Sequence, residues 1–518
     1  MKKLFLIFNS AFLTLTYSYA QPAIEWQKCL GGTFHDNAYS IQQTSDGGYV
    51  VASYTDSNNG DVAGNHGQYD YWVVKLDVTG NIQWQKCLGG TNADEASSIQ
   101  QTSDGGYVVA GVASSNNGNV TGNHGNLDYW IVKLDANGNI QWQKCLGGTG
   151  EERARSVQQT SDSGYVVAGY SKSNNGDVTG NHGNFDYWIV KLDVTGTIQW
   201  QKCLGGTADD MAYSIQQTSD GGYVVAGCSE SINGDVTGNH GNFDSWVVKL
   251  DVTGTIQWQK CLGGTLSDYA RSIQQTWDGG YVVAGIASSN DGDVTGNHGD
   301  EDYWVIKLDA NGNIQWQKCF GGTGEDYAHS VRQSYDGGYV VAGYVWSNNG
   351  DVTGNHGGND FWVVKLYVNG NTEWLMCLGG TDDEYAHSII PTLDGGYIVA
   401  GSTDSDNGDV SGNHNDDGSS DVWIVKLSRN VGIEEEANNF SFNISPNPFT
   451  TQAIITFNKQ IHNATFSLYN LLGEKVAEVL NINGESFQFN RGNLRSGVYV
   501  FEVLQKDKCI GRGKAVVY

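Results

Sequence analysis

The 518-residue sequence is poor in proline and in basic side chains. It has only 4 prolines beside 70 glycines, a composition that suits many short strands joined by tight turns. Its 29 basic and 57 acidic residues give a net charge of −28. This balance argues against nucleic acid or an anionic membrane as a partner, because phosphate recognition needs basic clusters. No run after the N-terminus reaches the ~18 apolar residues of a membrane helix.

Familiar catalytic motifs are also missing. The chain has no Gly-x-Ser-x-Gly, no His-Glu-x-x-His and no phosphate-binding loop. No single segment therefore presents a nucleophile with its base or an open metal site. Catalytic groups can also be assembled from several segments, so an enzyme is not excluded.

The first 20 residues have the pattern of a secretory signal. Lys2 and Lys3 precede an apolar run that ends in small residues at Ala20. We predict cleavage after Ala20 and an exported protein in which residues 21–430 form one domain.

A tandem repeat fills most of the chain. The motif Trp-Gln-Lys-Cys and its variants recur every 58 residues, which gives seven copies, at Trp26, Trp84, Trp142, Trp200, Trp258, Trp316 and Trp374. A period of this length indicates an array of supersecondary units that bury their apolar faces against one another.

Each repeat contains four strand-like runs. In the fourth copy they are Ser214–Thr218, Tyr223–Gly227, Ser245–Leu250 and Ile256–Leu262, rich in β-branched and aromatic residues. Seven such units predict an all-β fold, a seven-bladed β-propeller. The array begins on a fourth strand and ends on a third, so we expect the N-terminal strand to complete the last blade. An open solenoid is the alternative. The segment Asp-Gly-Gly-Tyr-Val-Val-Ala-Gly resembles propeller repeats of secreted bacterial proteins.

Nine cysteines in an exported chain first suggest disulfides. Seven of them occupy one repeat position, and equivalent positions should lie beyond the ~7 Å limit for a bridge. We interpret these as small packing residues; they are Cys29, Cys87, Cys145, Cys203, Cys261, Cys319 and Cys377.

Propeller connectivity places the long Asn/Asp/Gly loops and the Gly-Gly-Thr connectors on one face, where a ligand would bind. Acidic loops of this kind can supply oxygen ligands to calcium. The candidate ligands are Asp61, Asp177, Asp235, Asp293, Asp351 and Asp409. The alternative is that Asn and Asp hold the loop through Asx-turns. An acid that recurs before each first strand (Asp36 in the first copy) is expected to cap its own connector.

Specificity would arise where the copies differ. The residue after the repeated alanine varies between positions that hardly change, and we take it as a rim position with Trp346. Aromatic and Arg side chains there could stack on sugars or anchor a protein. The candidates are Tyr39, Arg155, Tyr213, Arg271, His329, Trp346 and His387. Drift on a solvated rim is the alternative.

The tail differs from the repeats. After a linker at 431–440, residues 441–518 carry eight basic and five acidic residues and short alternating runs typical of a small Ig-like β-sandwich. The segments ISPNPF (444–449), LYNLLGEKV (468–476) and LRSGVYV (494–500) resemble the C-terminal sorting domain of the type IX secretion system. Its motif residues here are Pro446, Asn447, Pro448, Gly473, Gly497 and Tyr499. The resemblance implies recognition by that machinery and release from, or attachment to, a Gram-negative cell surface.

The sequence favours a secreted or surface-attached module that binds or adheres to a glycan or a protein. An extracellular enzyme acting on polysaccharide at the channel mouth and a purely structural surface protein are the alternatives.

Overall fold

A computed structural model describes residues 21–414, 418–429, 442–470, 475–505 and 508–518. The chain divides into two compact units, Met1–Asn430 and Val431–Tyr518. The predicted signal segment and the predicted linker lie outside the described residues. Within the described ranges the chain forms strands and turns, and it has no helix long and apolar enough to cross a membrane.

Twenty-eight strands form the first unit, with the same order in every repeat. Their bounds are β1 Ile24–Leu30, β2 Asp36–Gln43, β3 Tyr49–Thr55, β4 Asp70–Leu76, β5 Ile82–Leu88, β6 Asp94–Gln101, β7 Tyr107–Ala113, β8 Asp128–Leu134, β9 Ile140–Leu146, β10 Glu152–Gln159, β11 Tyr165–Ser171, β12 Asp186–Leu192, β13 Ile198–Leu204, β14 Asp210–Gln217, β15 Tyr223–Ser229, β16 Asp244–Leu250, β17 Ile256–Leu262, β18 Asp268–Gln275, β19 Tyr281–Ala287, β20 Asp302–Leu308, β21 Ile314–Phe320, β22 Asp326–Gln333, β23 Tyr339–Val345, β24 Asp360–Leu366, β25 Thr372–Leu378, β26 Glu384–Pro391, β27 Tyr397–Thr403 and β28 Asp421–Leu427.

These strands form seven four-stranded antiparallel sheets, which confirms the seven-bladed propeller. Blades 1 to 6 each use four consecutive strands, from β2–β5 to β22–β25. Blade 7 has the order β1-β28-β27-β26, so the N-terminal strand is its outer strand, as predicted. In that pair Ile24 lies opposite Leu427 and Cys29 opposite Trp423. The pairing joins the two ends of the ring and covers an open sheet edge.

The innermost strands begin earlier than the sequence pattern indicates. In blade 4 the predicted run starts at Ser214, whereas β14 starts at Asp210. The reason is a β-bulge between Ala212 and Ser214, where the register of β14 against β15 shifts. An inserted bulge residue breaks the alternation of side chains between the two faces of the sheet. The first half of the strand therefore does not continue the two-residue alternation by which the second half is recognised in the sequence.

The apolar core lies between neighbouring blades. One cluster joins Val50 and Tyr71 of blade 1 to Trp130 and Cys145 of blade 2, and equivalent clusters follow around the ring. The last cluster packs Ile424 of blade 7 against Trp72 of blade 1. The seven repeat cysteines are free thiols in or beside these clusters, which confirms them as packing residues.

Aromatic side chains also connect the blades. The Tyr71 hydroxyl donates to the Trp130 carbonyl oxygen of the next blade at 3.0 Å, and the contact recurs at Tyr129 and Tyr187. At the outer edge Gly80 adopts φ +80°, and a Cβ there would lie 2.8 Å from the Trp26 ring. This explains why the turn needs glycine.

The second unit is a β domain of five strands, β29 Phe442–Ser445, β30 Gln452–Tyr469, β31 Lys475–Asn490, β32 Gly497–Gln505 and β33 Lys508–Val517. They form one hydrogen-bonded sheet with the order β29-β30-β32-β33, and β31 also pairs with β30. The strands β30 and β31 are longer than the short runs of the sequence pattern, because each continues through a segment with register shifts. Phe466, Phe489 and Phe501 lie in its core.

Candidate functional site

The long loops and the connectors contact one another on one face of the propeller. The Asn59 side chain accepts a hydrogen bond from Thr33 N at 2.9 Å, and Asp61 N donates to the Gly31 carbonyl at 2.8 Å. Equivalent bonds recur around the ring, for example from Thr207 N to Asn233 at 2.9 Å. The predicted grouping of these segments on one face is therefore observed.

The candidate calcium ligands lie within this network. Each accepts a hydrogen bond from a connector glycine N–H, at 3.2 Å for Asp177 and 3.3 Å for Asp235. Asp61, Asp293, Asp351 and Asp409 make the same contact. Among the described residues no group of three or more His, Cys, Asp or Glu side chains could hold a metal ion. These bonds hold the loop to a connector 30 residues earlier and are not Asx-turns within the loop, and the calcium interpretation stays a prediction.

Buried carboxylates line the blade boundaries beneath the loops. In every blade the loop histidine binds a buried aspartate, with His66 Nδ1 2.5 Å from Asp70 Oδ2. A second buried acid begins each innermost strand. In blade 1 it is Asp36, which accepts hydrogen bonds from Gly32 N at 2.8 Å and from Ser57 Oγ at 2.9 Å. The acid therefore caps its own connector, as predicted. Burial raises the pKa of Asp36 to about 7, although these donors and Thr55 oppose the shift.

The variable position after the repeated alanine is the bulge residue of each innermost strand. In blade 1, Ala38 pairs with Ser53 and Ser40 with Ala52, which leaves Tyr39 unpaired. A bulge redirects a side chain. Here it brings equivalent positions of different blades into contact, and this is possible only near the propeller axis. Six of the predicted rim residues therefore line the mouth of the channel and are partly buried, instead of lying on a solvated rim.

Contacts run around this ring. The Tyr39 ring stacks on His387 with 4.6 Å between centroids, and His387 meets His329 edge-on at 4.9 Å. The Arg271 guanidinium lies 4.2 Å from the centroid of Tyr213. Burial, together with the Arg271 charge, lowers the pKa of His387 to about 4. Below the ring the channel has a volume of about 220 Å³ and is lined by serine, glutamine and isoleucine side chains and Arg332.

An aromatic pocket opens beside the ring, between blades 6 and 7. Tyr344 stacks on Tyr327 with 5.0 Å between centroids and meets Tyr385 edge-on at 4.8 Å. Trp346, 57% exposed, completes the aromatic wall. The pocket has a volume of about 560 Å³. Of the predicted rim positions, only Trp346 lines this pocket. Tyr327 and Tyr385, which also line it, are residues that differ from those of most other repeats.

Polar groups stand beside these rings. The Asn359 side chain donates to Asp383 Oδ1 at 3.0 Å and to the Tyr385 hydroxyl at 3.2 Å. Glu325 Oε2 accepts from the Tyr327 hydroxyl at 3.4 Å, and Asp300 completes the lining. Tyr344, Asn359 and Asp300 were not among the positions predicted from the sequence. Tyr344 stands where the other copies have Tyr, Val, Cys, Ile or Ser, and this variability is the signal that could have found it.

In the C-terminal β domain the motif residues meet the last strand. Asn447 Oδ1 accepts from Val516 N at 2.8 Å, and Phe449 N donates to the Val516 carbonyl at 3.0 Å. The buried Tyr499 donates its hydroxyl to the Arg495 carbonyl at 2.8 Å. Pro446 and Pro448 flank Asn447, Gly497 begins β32, and Gly473 lies outside the described residues.

Comparison with protein families identifies this domain. Residues 443–517 match the model of the secretion system C-terminal sorting domain. The tail is a type IX sorting domain. A sorting domain of this kind engages the type IX machinery, so the chain is secreted or attached to the outer surface of a Gram-negative cell.

The other similarities are distant. The regulatory protein FlaEY of Caulobacter vibrioides is 24% identical over 407 residues, which cover 69% of this chain and 41% of that protein. The chain thus spans less than half of that relative. A fungal copper-bound alcohol oxidase of the AA5 family has a TM-score of 0.46 at 12% identity, covering 96% of this chain and all of the other. The Neurospora crassa Pan2 WD40 domain scores 0.43 at 13% identity, covering 78% and 98%. These similarities are too distant to assign an activity.

Proposed function

We propose that this exported propeller is a binding module that holds a glycan in the aromatic pocket between blades 6 and 7. The observation that carries the proposal is the set of four aromatic side chains in one pocket on the long-loop face, namely Tyr327, Tyr344, Trp346 and Tyr385. Aromatic faces give large contact areas at low cost in conformational entropy, and they suit the apolar faces of sugar rings.

The polar lining supports the same ligand class. Carboxylate oxygens of Asp300, Glu325 and Asp383 stand beside the rings and can accept hydrogen bonds from sugar hydroxyl groups. Asn359 binds both Asp383 and Tyr385, so these two side chains are positioned before a ligand arrives. A site that is largely formed in advance loses less entropy on binding.

Departures from the repeat create the pocket. Gly324 lies beside Trp346, and a Cβ at position 324 would stand 3.0 Å from the indole Cδ1. The equivalent residue is Phe34 in blade 1 and Leu266 in blade 5, and no other copy has tryptophan at the position of Trp346. The pocket therefore belongs to one blade boundary, which favours a discrete ligand over a purely structural role.

The test is a glycan array probed with the secreted chain, residues 21–518, and with two matched variants. Trp346→Ala removes the exposed wall of the pocket. Trp277→Ala removes a tryptophan of similar exposure, 67% against 57%, from a tight turn on the opposite face. We expect Trp346→Ala to weaken binding roughly tenfold or more, as for an aromatic hot spot, and Trp277→Ala to leave binding unchanged. Equal binding by both variants, or no glycan bound by the parent chain, would contradict the proposal.

A further inference from the structure

Two arginine side chains at the mouth of the channel have no carboxylate partner in the part of the chain that the structure describes. Arg155 and Arg271 belong to the ring of bulge residues, and neither forms a salt bridge with a described residue. The nearest groups are phenols: Arg155 Nη2 donates to the Tyr170 hydroxyl at 3.0 Å, and Arg271 lies over Tyr213. In a chain with 57 acidic residues, this separation of two guanidinium groups from every described carboxylate is unusual.

Donor atoms of these groups are unused. Arg155 Nε, Arg271 Nε and His329 Nε2 are buried and have no hydrogen-bond partner among the described residues. A buried donor without an acceptor costs ~1–3 kcal/mol, and more when the group is charged. Stacking on tyrosine rings offsets only part of this cost. Among the described residues, these donors therefore have no negatively charged acceptor.

The surroundings restrict what that acceptor can be. Tyr39, Tyr213 and His387 form flat walls around the ring, and Ser97 is the smallest of its seven members. Burial is the main cause that lowers the pKa of His329 and His387, so both imidazoles are neutral near pH 7 and add hydrogen-bonding atoms without charge. Arg332 lines the channel below, also without a described carboxylate partner. A small planar anion fits guanidinium groups between flat walls.

We propose that this ring binds a carboxylate group at the mouth of the channel, with Arg155 and Arg271 as the cationic contacts and His329 as a further hydrogen-bonding partner. The carboxylate arrives as a free organic acid or as a uronic-acid residue of a polysaccharide. The site is built from residues other than those of the aromatic pocket, and the proposal does not depend on glycan binding there.

The experiment is isothermal titration calorimetry on the secreted chain with sodium glucuronate and with glucose, which differ by one carboxylate. We expect the chain to bind glucuronate and not glucose. The double variant Arg155→Gln/Arg271→Gln should lose roughly tenfold or more in affinity, because charge-assisted hydrogen bonds are removed. Arg153→Gln is the matched control: it makes the same change in the same strand, at an arginine already paired with Glu151. Its affinity should stay within about twofold of the parent value.

Two further arms complete the test. Arg155→Lys/Arg271→Lys keeps the charge and should still weaken binding, since lysine lacks the planar fork; this covers the case in which the glutamine variant does not fold. Tetragalacturonate that binds more tightly than glucuronate would identify a polysaccharide as the source, and equal affinities a free acid. Equal binding of glucose and glucuronate, full affinity in the double glutamine variant, or no binding of either anion would overturn the proposal. Loss of glucuronate binding in Trp346→Ala would also overturn it, because the anion would then occupy the aromatic pocket.

Discussion

At the scale of single residues, one repeated loop position makes the same contact in all seven copies. The sequence suggested the loop aspartates as oxygen ligands for calcium. In the structure each of them accepts a hydrogen bond from a connector glycine N–H. The second copy has Asn119 there, and its side chain accepts from Gly89 N at 3.2 Å. An amide thus makes the same contact as the carboxylate. The contact needs an acceptor oxygen and does not need a charge.

This equivalence gives a prediction for Asp235, whose Oδ2 lies 3.3 Å from Gly205 N. Asp235→Asn should change the free energy of unfolding by less than about 0.5 kcal/mol, whereas Asp235→Ala should cost about 1 kcal/mol, the usual value of one hydrogen bond. Urea denaturation with calcium and again with EDTA measures both. A larger loss in the asparagine variant, present only with calcium, would instead support calcium binding by the loop.

At the scale of elements, the pairing of β1 with β28 is the contact that closes the ring. It joins residues about 400 positions apart, and the Trp423 indole donates to the Gln27 side chain at 2.9 Å across it. Without β1 the last blade would have three strands and an exposed edge, which is a template for association.

Deletion of residues 21–30 should therefore lower the melting temperature and produce oligomers, measured by thermal denaturation and by light scattering after gel filtration. The matched control attaches Ile24–Leu30 after Leu427 through the turn sequence of Asp251–Thr255, which restores a four-stranded blade 7. This permuted chain should be monomeric, and its melting temperature should be closer to that of the parent chain than the melting temperature of the deletion variant is. A deletion variant that stays monomeric with an unchanged melting temperature would contradict the importance of this closure.

At the scale of the whole molecule, buried carboxyl groups repeat around the ring. Burial raises the pKa of Glu384 and Asp36 to about 7 and that of Asp186 and Asp302 to about 6. Their unfolded values are near 4, so the folded state binds more protons between pH 4 and 7. The stability that these groups contribute is full below pH 4 and is lost as the pH rises towards 7. His329 and His387 have lowered pKa values and act in the opposite direction, but they are only two groups.

We therefore predict a melting temperature a few degrees higher at pH 5 than at pH 7.5, at constant ionic strength. Below pH 4 the trend should reverse, because the pKa of Asp46 and its equivalents is held at about 2 by hydrogen bonds from Thr44, Lys75 and Gly48 and by the Lys75 charge, against burial. Asp36→Asn removes one carboxyl group with a raised pKa, so the melting temperatures at pH 5 and pH 7.5 should differ less in this variant than in the parent chain. A melting temperature that increases from pH 5 to 7.5 would contradict this account.

The sequence by itself determined the architecture. The period of 58, the four runs per copy and the offset between the two ends are enough to predict seven blades and their closure, because strand alternation and turn composition are local properties. Ordered motifs likewise identified the sorting domain. Only the tertiary structure decided where the variable residues that follow the repeated alanines lie. Tyr39 and His387 are 348 positions apart and meet because a bulge in every innermost strand turns one side chain to the axis of a closed ring. The ring arginines, which have no carboxylate partner among the described residues, and the aromatic pocket between blades 6 and 7 arise in the same way, from contacts between repeats that no local pattern records.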